Sequence, residues 1–379
     1  MDIRNVAPTA VGDDATAYLA IELSGSNWLV GVRQPGRQAV SRHRLAPLDV
    51  VGLVGVVDGA RASGAGRVVC VYEAGRDGFW LQRWLEEQGI ECLVMEPASL
   101  PVDRRARRAK TDRLDVDALL RSLVGWLSGD AGACRMVRVP SREREDLRRT
   151  HRERQALIKE RVRLVNRIKG LLASVGVAGF EPLRRAAGSA LAELRGADGR
   201  RLPPALRRDV ERCLQRVCLL KEQIAAVEAE RDAAVCEPAA GDVEAVKIAQ
   251  LMQVRSIGVQ TATLLVREVF WRSFDNRRCL AGYVGLTGTP FNSGGRIREQ
   301  GISKAGNPRA RTAMIEAAWL WLRYQPDSKL SQWYRERVGT AAGRIRRITI
   351  VALARKLLIA LWRFLQHGVI PEGAVLKSA

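Results

Sequence analysis

Apolar positions in the first hundred residues alternate along short segments, and this spacing predicts strands joined by short turns. Two of the later runs are continuously apolar, which is typical of strands buried on both faces. The stretches between them carry apolar residues at helical spacing. The predicted strands are Thr16 to Leu23, Trp28 to Val32, Ala39 to Leu45, Arg67 to Tyr72 and Glu91 to Met95, and the predicted helices are Leu48 to Ala62 and Gly78 to Gln88.

The order β-β-β-α-β-α-β predicts an α/β domain built on a mixed five-stranded sheet with its first strand central. The fourth strand then lies beside the first, which brings Glu73 close to Glu22 at one edge of the sheet. Ligand sites of open α/β sheets lie at such edges. A helix that begins near Asp112 would pack back across this sheet, so Asp112 and Asp115 are predicted to join the two glutamates. This is the arrangement of RNase H-like nucleases.

The start of that helix follows a dense block of cations, Arg104 to Lys110. If Thr111 or Asp112 caps the helix, Asp112 and Asp115 project from one face of its first turn. Acids in a first turn are also explained by the helix dipole alone. The neighbouring cations favour the nuclease interpretation, because a metal-dependent nuclease needs cations for phosphates and carboxylates for the metal.

From Pro140 onward the pattern becomes helical. We expect one long helix from Ser141 to Ala173 with a largely basic surface around an apolar seam, and a second after Pro204. The two are predicted to form an antiparallel coiled-coil arm, or to pair with another chain. A solvated basic face without a partner is the alternative, although charge of one sign repels itself unless a polyanion offsets it.

The last part of the chain is predicted to be mainly α-helical. Ile248 to Phe270, with the link Ser256 to Val259, has the outline of a helix-hairpin-helix, and an ordinary helical hairpin fits as well. A basic, glycine-rich loop from Phe291 to Arg309 is typical of backbone that approaches a nucleic-acid strand. Helices are predicted from Ala310 to Tyr324 and from Arg344 to Gln366, with Trp319, Trp321, Trp333 and Trp362 in their core. The predicted domains are residues 16–138, 139–245 and 246–377.

Composition narrows the class of partner. The 379 residues carry a formal net charge of +21, with a pI near 10.6, which indicates a polyanion such as nucleic acid. A membrane surface fits poorly, because the apolar segment from Ile348 to Trp362 is short and contains Arg355 and Lys356. The start of the chain lacks a signal peptide, so a cytoplasmic location is expected. The seven scattered cysteines and three histidines predict neither a disulfide framework nor a zinc site.

Several short motifs, in this order, resemble the IS110 family of insertion-sequence transposases, including its IS1111-like branch. They are Ala20-Ile21-Glu22-Leu23-Ser24, Tyr72-Glu73-Ala74-Gly75, Lys110-Thr111-Asp112-Arg113-Leu114-Asp115, Ala281-Gly282-Tyr283-Val284-Gly285-Leu286-Thr287, Ser293-Gly294-Gly295 and Ser303-Lys304-Ala305-Gly306-Asn307. The resemblance implies a RuvC-like domain with a DEDD tetrad, a helical arm and a C-terminal domain with a catalytic serine.

Carried onto this chain, the resemblance makes Glu22, Glu73, Asp112 and Asp115 the ligands of Mg²⁺ and Ser293 the nucleophile. Glu22 replaces the usual Asp, which moves the carboxylate by roughly 1.5 Å, one C–C bond. The family also implies DNA as donor and target, a guide (bridge) RNA that pairs with both, and a homo-oligomer whose subunits share active sites. Ser303, which precedes Lys304, is the alternative nucleophile.

Nucleic-acid contacts are predicted for basic side chains in three segments. They are Arg104, Arg105, Arg107, Arg108 and Lys110, then Arg148, Arg152, Lys159, Arg163, Arg167 and Lys169, and finally Arg296, Arg298, Lys304 and Arg309. Two other functions stay open: a RuvC-like, junction-resolving endonuclease that hydrolyses DNA with its carboxylates alone, and a non-catalytic nucleic-acid-binding protein whose acids are structural.

Overall fold

The computed structural model describes residues 15–100, 111–130, 132–237, 241–293, 296–341 and 343–377, without the side chains of residues 292–299. Two compact units make up the chain, Met1–Ser141 and Arg142–Ala379. The predicted border near residue 139 falls close to this division. The predicted border at residues 245 and 246 lies inside the second unit and stays a prediction.

The first unit contains the five-stranded sheet. Its strand order is β3-β2-β1-β4-β5, with β1 antiparallel to β2 and parallel to β4. This confirms the predicted mixed sheet with the first strand central, an arrangement that fits an RNase H-like domain. Its elements are β1 (Thr16–Leu23), β2 (Trp28–Arg33), β3 (Val40–Leu45), α1 (Val50–Ala62), β4 (Arg67–Glu73), α2 (Trp80–Glu87), β5 (Glu91–Met95), a 3₁₀ turn (Pro97–Ser99) and α3 (Asp112–Leu127).

Both faces of the sheet are covered, as continuous apolar strands require. Helices α1 and α2 pack on one face, against alternate strand residues such as Ile21 and Tyr72. Helix α3 packs on the other, where Val116 and Leu120 meet Ala20 and Val71. The side-chain alternation of β1 and β4 therefore determines which residues lie under α3.

Gly31 of β2 lets α3 approach the sheet closely. A Cβ atom there would lie 2.3 Å from Cγ1 of Val116. We expect Gly31→Ala to destabilise the protein by about 1–3 kcal/mol, the usual cost of overpacking. Gly55→Ala is the control, because nothing lies within 4 Å of that position in α1, and it should stabilise by about 0.5–1 kcal/mol. Urea unfolding measures both, and equal midpoints would contradict the packing.

The second unit is mainly helical, in agreement with the sequence. Its elements are α4 (Arg142–Leu147), α5 (Arg149–Ala173), α6 (Ala187–Glu193), α7 (Pro204–Cys236), α8 (Val243–Met252), α9 (Val259–Leu265), a π-helical turn (Val266–Phe270), α10 (Arg277–Val284), β6 (Gly288–Ser293), β7 (Arg296–Ile302), α11 (Pro308–Tyr324), α12 (Lys329–Val338) and α13 (Arg344–His367).

Helices α5 and α7 run antiparallel. Arg154 pairs with Glu228 near one end, and Arg167 pairs with Asp209 near the other. The spaced apolar residues of α7, from Val210 to Val227, are buried as predicted. The prediction of one helix from Ser141 to Ala173 is wrong, because the helix is interrupted at Arg148. The side chain of Arg148 is buried.

The C-terminal part has its own apolar core, formed mostly by α8, α9, α11 and α13. Trp321 is fully buried, whereas Trp319 is 38% exposed, so the predicted tryptophan core is only partly right. The predicted loop from Phe291 to Arg309 is wrong over its first half, where β6 and β7 form an antiparallel hairpin. Within the described ranges, no helix is long and apolar enough to cross a bilayer.

Candidate active site and nucleic-acid interface

Glu22 and Glu73 lie side by side at one end of the sheet. The parallel pairing of β1 with β4 reaches Ile21 opposite Tyr72, and each glutamate is the next residue along its strand. Both are half-buried. Because Ile21 and Tyr72 pack on the face of α1 and α2, alternation places both glutamates on the face covered by α3.

Asp112 and Asp115 occupy the first turn of α3. Thr111 caps this helix, and its hydroxyl accepts a hydrogen bond from the Leu114 amide at 3.4 Å. Asp112 is exposed and lines a cavity of about 520 Å³ together with Leu29. Leu29 is the register partner of Glu22 on β2. The first turn of α3 therefore starts at the same end of the sheet as the two glutamates.

The carboxylate oxygens of these four residues suit a hard divalent cation such as Mg²⁺. Among the residues that the structure describes, no three His, Cys, Asp or Glu side chains are grouped closely enough to hold a metal ion. The strand register and the start of α3 nevertheless bring the acids to one face and one end of the sheet. Their convergence on a shared ion stays a prediction.

Ser293 is the last residue of β6 and pairs with Arg296 across the hairpin. The side chains of Ser293, Arg296 and Arg298 lie outside the described part of the structure. Their predicted roles therefore rest on the sequence. The backbone places all three residues near the tip of the hairpin.

The base of this hairpin is fixed by backbone hydrogen bonds to Thr287 and to Tyr283 of α10. Ser303 donates its amide to the Thr287 carbonyl at 2.9 Å, and Asn307 donates its amide to the Tyr283 carbonyl at 2.8 Å. Gly306 has φ +111°, and a Cβ there would lie 2.5 Å from the Tyr283 carbonyl oxygen. Only glycine fits such a close approach without a shift of the backbone.

A buried carboxylate, Glu268, joins three parts of the second unit. It lies in the π-helical turn, is 2% exposed, and accepts hydrogen bonds from His151 Nε2 at 2.7 Å and Arg152 Nε at 2.8 Å, both on α5. Asn307 donates its side-chain amide to the other carboxylate oxygen at 2.9 Å. Asn307 also caps α11. The network, Glu268 with its three donors, therefore ties α5 to the base of the hairpin.

Burial and hydrogen bonds together determine which groups of this network are charged. Burial alone would raise the pKa of Glu268, but hydrogen bonds from His151 and Arg152, together with the positive charge of Arg152, hold that pKa well below its usual range. Burial lowers the pKa of His151 despite the Glu268 carboxylate beside it. Both lowered pKa values agree with a neutral His151 that donates its Nε2 proton to an ionised Glu268.

We expect Glu268→Gln to destabilise the second unit by about 1.5–3 kcal/mol, because it removes the charged acceptor of the Arg152 and His151 hydrogen bonds while Arg152 stays 38% exposed to solvent. For a unit of this size the melting temperature falls by roughly 3–12 °C. Glu316→Gln, an exposed site on α11, is the control and should melt like the wild type. Calorimetry measures both, and an unchanged melting temperature for Glu268→Gln would show that the network contributes little.

The same network predicts acid sensitivity. The folded pKa of Glu268 is depressed, so its contribution is present above the unfolded value near 4.5 and is lost as pH falls below it. The folded pKa of His151 is also lowered, so protonation below about pH 6.5 favours the unfolded chain. The melting temperature should fall from pH 6.5 downward, and less steeply in Glu268→Gln.

The predicted nucleic-acid contacts on α5 divide by exposure. Arg148, which directly precedes α5, is buried, donates its Nε proton to the Arg267 carbonyl and lies 4.5 Å from the Trp271 ring centroid, so its predicted nucleic-acid contact stays a prediction that its burial does not support. Arg152 is held by Glu268. The remaining four, Lys159, Arg163, Arg167 and Lys169, are exposed, and Arg167 and Lys169 pair with Asp209 and Glu181.

Outside α5, the block Arg104, Arg105, Arg107, Arg108 and Lys110 lies outside the described residues. Lys304 is exposed and Arg309 is half-buried at the start of α11. Glu268 and His151 were not among the predicted site residues. The available signal was the charged pair Arg267-Glu268 inside the apolar run from Leu264 to Phe270, because charge at such positions needs a buried partner.

Two family profiles match the chain. The profile described as "Transposase IS116/IS110/IS902 family" matches residues 248–332, which include Ser293. A second, for DEDD transposases of the IS110 group, matches residues 25–176, which include Glu73, Asp112 and Asp115 and begin after Glu22. Between them the matches cover both compact units.

Curated relatives agree with the profiles. The chain is 46% identical to the putative transposase y4rJ of Sinorhizobium fredii, over 99% of this chain and 98% of that protein. It is 24% identical to the transposase of insertion sequence element IS1328 from Yersinia enterocolitica, over 77% of this chain and 81% of the relative. It is 26% identical to the transposase of element IS1111A from Coxiella burnetii, over 73% and 72% of the two chains.

Proposed function

Because the chain belongs to the IS116/IS110/IS902 family of insertion-sequence transposases, we propose that it cuts and rejoins DNA with a carboxylate-bound Mg²⁺ and a serine nucleophile, guided by an RNA that its element encodes. The enzyme class follows from the family. The metal, the nucleophile and the RNA are the parts that the proposal adds.

The observation that carries the proposal is the position of the acids. Glu22 and Glu73 are register neighbours on the face covered by α3, and the first turn of α3 presents Asp112 and Asp115 at the same end of the sheet. Carboxylates so placed repel one another, and a cation relieves that repulsion. An exclusively structural role does not require four acids at one end of one sheet.

The bound cation would polarise the phosphoryl oxygen and stabilise the leaving oxygen. Glu22, Glu73, Asp112 and Asp115 would hold it and fix its place relative to the DNA. The Ser293 hydroxyl would give its proton to solvent as its oxygen bonds to phosphorus. The bond from phosphorus to the deoxyribose oxygen would break, and that oxygen would take up a proton from solvent. The phosphoserine link conserves the phosphodiester bond energy for rejoining.

A hairpin held firmly at its base suits this role. Ser293 lies near the tip of the β6–β7 hairpin. At the other end Ser303 bonds to Thr287, and Gly306 and Asn307 contact Tyr283 of α10. A nucleophile must be delivered within a fraction of an ångström of its target. Rigid attachment of the hairpin supports Ser293 as the nucleophile.

The guide RNA is proposed to bind the exposed cations of α5, namely Lys159, Arg163, Arg167 and Lys169. RNA backbone contacts require solvent-accessible cations, which these four residues provide. The α5–α7 pair acts in the proposal as a coiled-coil arm that also joins subunits in a homo-oligomer. Sequence choice would then reside in base pairing with donor and target DNA.

The test is strand exchange between two plasmids, one with the element ends and flanking noncoding DNA and one with the target. We expect joined products only when protein, Mg²⁺ and RNA transcribed from the flank are all present. Joined products in the absence of the RNA would show that strand exchange needs no guide RNA. Cut strands with free ends and no protein attached would instead favour the RuvC-like endonuclease.

A further inference from the structure

The cavity beside Asp112 is lined by three arginines from two elements of the first unit. Arg42 and Arg44 come from the edge strand β3, and Arg113 follows Asp112 on α3. Its other lining residues are Leu29 and Thr111. The space of about 520 Å³ exceeds what one small ion needs. We name this space the arginine pocket.

The strand register fixes where the arginine pocket lies. Arg44 is opposite Leu29, and Leu29 is opposite Glu22. Residues opposite one another point to the same face of a sheet, so Arg44 shares the face of Glu22 beneath α3. Neighbouring strands are about 4.8 Å apart, which puts the backbone of Arg44 roughly 10 Å from that of Glu22.

The cations of the pocket are only partly neutralised. Arg42 is oriented by Asp117 of α3, with Nη2 2.6 Å from the carboxylate and its side chain 27% exposed. Among the described residues, Arg44 and Arg113 form no ion pair with a carboxylate. Asp112 is the remaining acid of the lining and belongs to the proposed metal site. Three guanidinium groups so close together repel one another, and an anion between them relieves this.

We propose that the arginine pocket binds a backbone phosphate of the DNA strand that is cut, about one to two nucleotides from the scissile phosphate. The assignment rests on the proposed function and deepens it. Guanidinium groups bind phosphate through two parallel hydrogen bonds. Because a B-form strand winds around its axis, consecutive phosphates lie farther apart than the axial rise of about 3.4 Å, and a distance of roughly 10 Å spans about one to two nucleotides. The pocket positions this strand and carries no base readout.

The test compares the wild type with a full-length double variant that carries both Arg44→Gln and Arg113→Gln. The probe is a duplex of the element end, and binding is measured against salt concentration. The pocket holds one phosphate, and each lost phosphate contact lowers the slope of log affinity against log salt by about 0.9, so the slope of the double variant should fall by about 0.9. The matched control, Arg61→Gln with Arg121→Gln, removes two exposed cations of α1 and α3 outside the pocket and should keep the slope.

Single methylphosphonates, which neutralise one phosphate each, locate the contact. Scanned along the cut strand, a methylphosphonate about one to two nucleotides from the cut should weaken wild-type binding and leave the double variant unaffected. Equal slopes for wild type and double variant, with wild-type DNA binding intact, would overturn the pocket alone. A loss confined to guide RNA would also overturn it. Failure of the wild type to bind the duplex would instead count against the proposed function.

Discussion

Replacing Asp112 by Asn is expected to lower Mg²⁺-dependent strand cleavage by about 10²–10³-fold, equivalent to roughly 3–4 kcal/mol of lost transition-state stabilisation. Asparagine keeps the size of the side chain and removes the charge that would hold the cation. The same change touches stability little, because an exposed acid in a first turn contributes only about 0.3–1 kcal/mol. Cleavage rates and melting temperatures of the same preparations measure the two effects.

Asp58→Asn is the control for this variant. Asp58 lies on α1 and, within the described ranges, its ion pair is the exposed one with Arg61, so its loss should leave cleavage unchanged. If Asp112→Asn cut DNA as fast as the wild type, the acids would be structural. The protein would then hold DNA without a carboxylate-bound metal at this place.

Ser293→Ala is expected to abolish both the covalent protein–DNA adduct and strand exchange while leaving DNA affinity near the wild-type value. The reason is that only the attacking oxygen is removed. Denaturing gels detect the adduct as labelled DNA that migrates with the protein. Ser189→Ala, which changes an exposed serine of α6, controls for the loss of a hydroxyl elsewhere.

Ser303 is the alternative nucleophile. Its hydroxyl accepts a hydrogen bond from Thr287 Oγ1 at 3.4 Å near the base of the hairpin. An adduct that survives in Ser293→Ala and disappears in Ser303→Ala would move the nucleophile to Ser303. Cleavage in Ser293→Ala that proceeds at the normal rate without any adduct would indicate hydrolysis by the carboxylates alone.

The sheet and its acids were predictable because their signals are local. Continuous apolar runs identify β4 and β5, and their order in the chain places β4 beside β1. The neighbourhood of Glu22 and Glu73 then follows from pairing rules and needs no knowledge of side-chain packing. Thr111 as the cap of α3 was likewise one of two candidates read from the sequence.

The network around Glu268 could not be predicted in the same way. His151 and Glu268 are 117 positions apart, and nothing local marks Arg148 as buried among the many arginines of its segment. The β6–β7 hairpin was missed because its strands are rich in glycine and polar residues and lack alternating apolar positions. Tertiary contacts determine the burial of these residues and the pairing of these strands, and the local sequence pattern does not reveal them.

Iron-directed cleavage of the polypeptide tests the central claim most directly, because it reports where the divalent ion binds. Fe²⁺ takes the place of Mg²⁺ in the full-length protein, and ascorbate with peroxide generates radicals that cut the nearby backbone. The account predicts cuts near residues 22, 73 and 112–115 that excess Mg²⁺ suppresses and that Asp112→Asn lacks. Cuts confined to other parts of the chain, or none that Mg²⁺ suppresses, would contradict it.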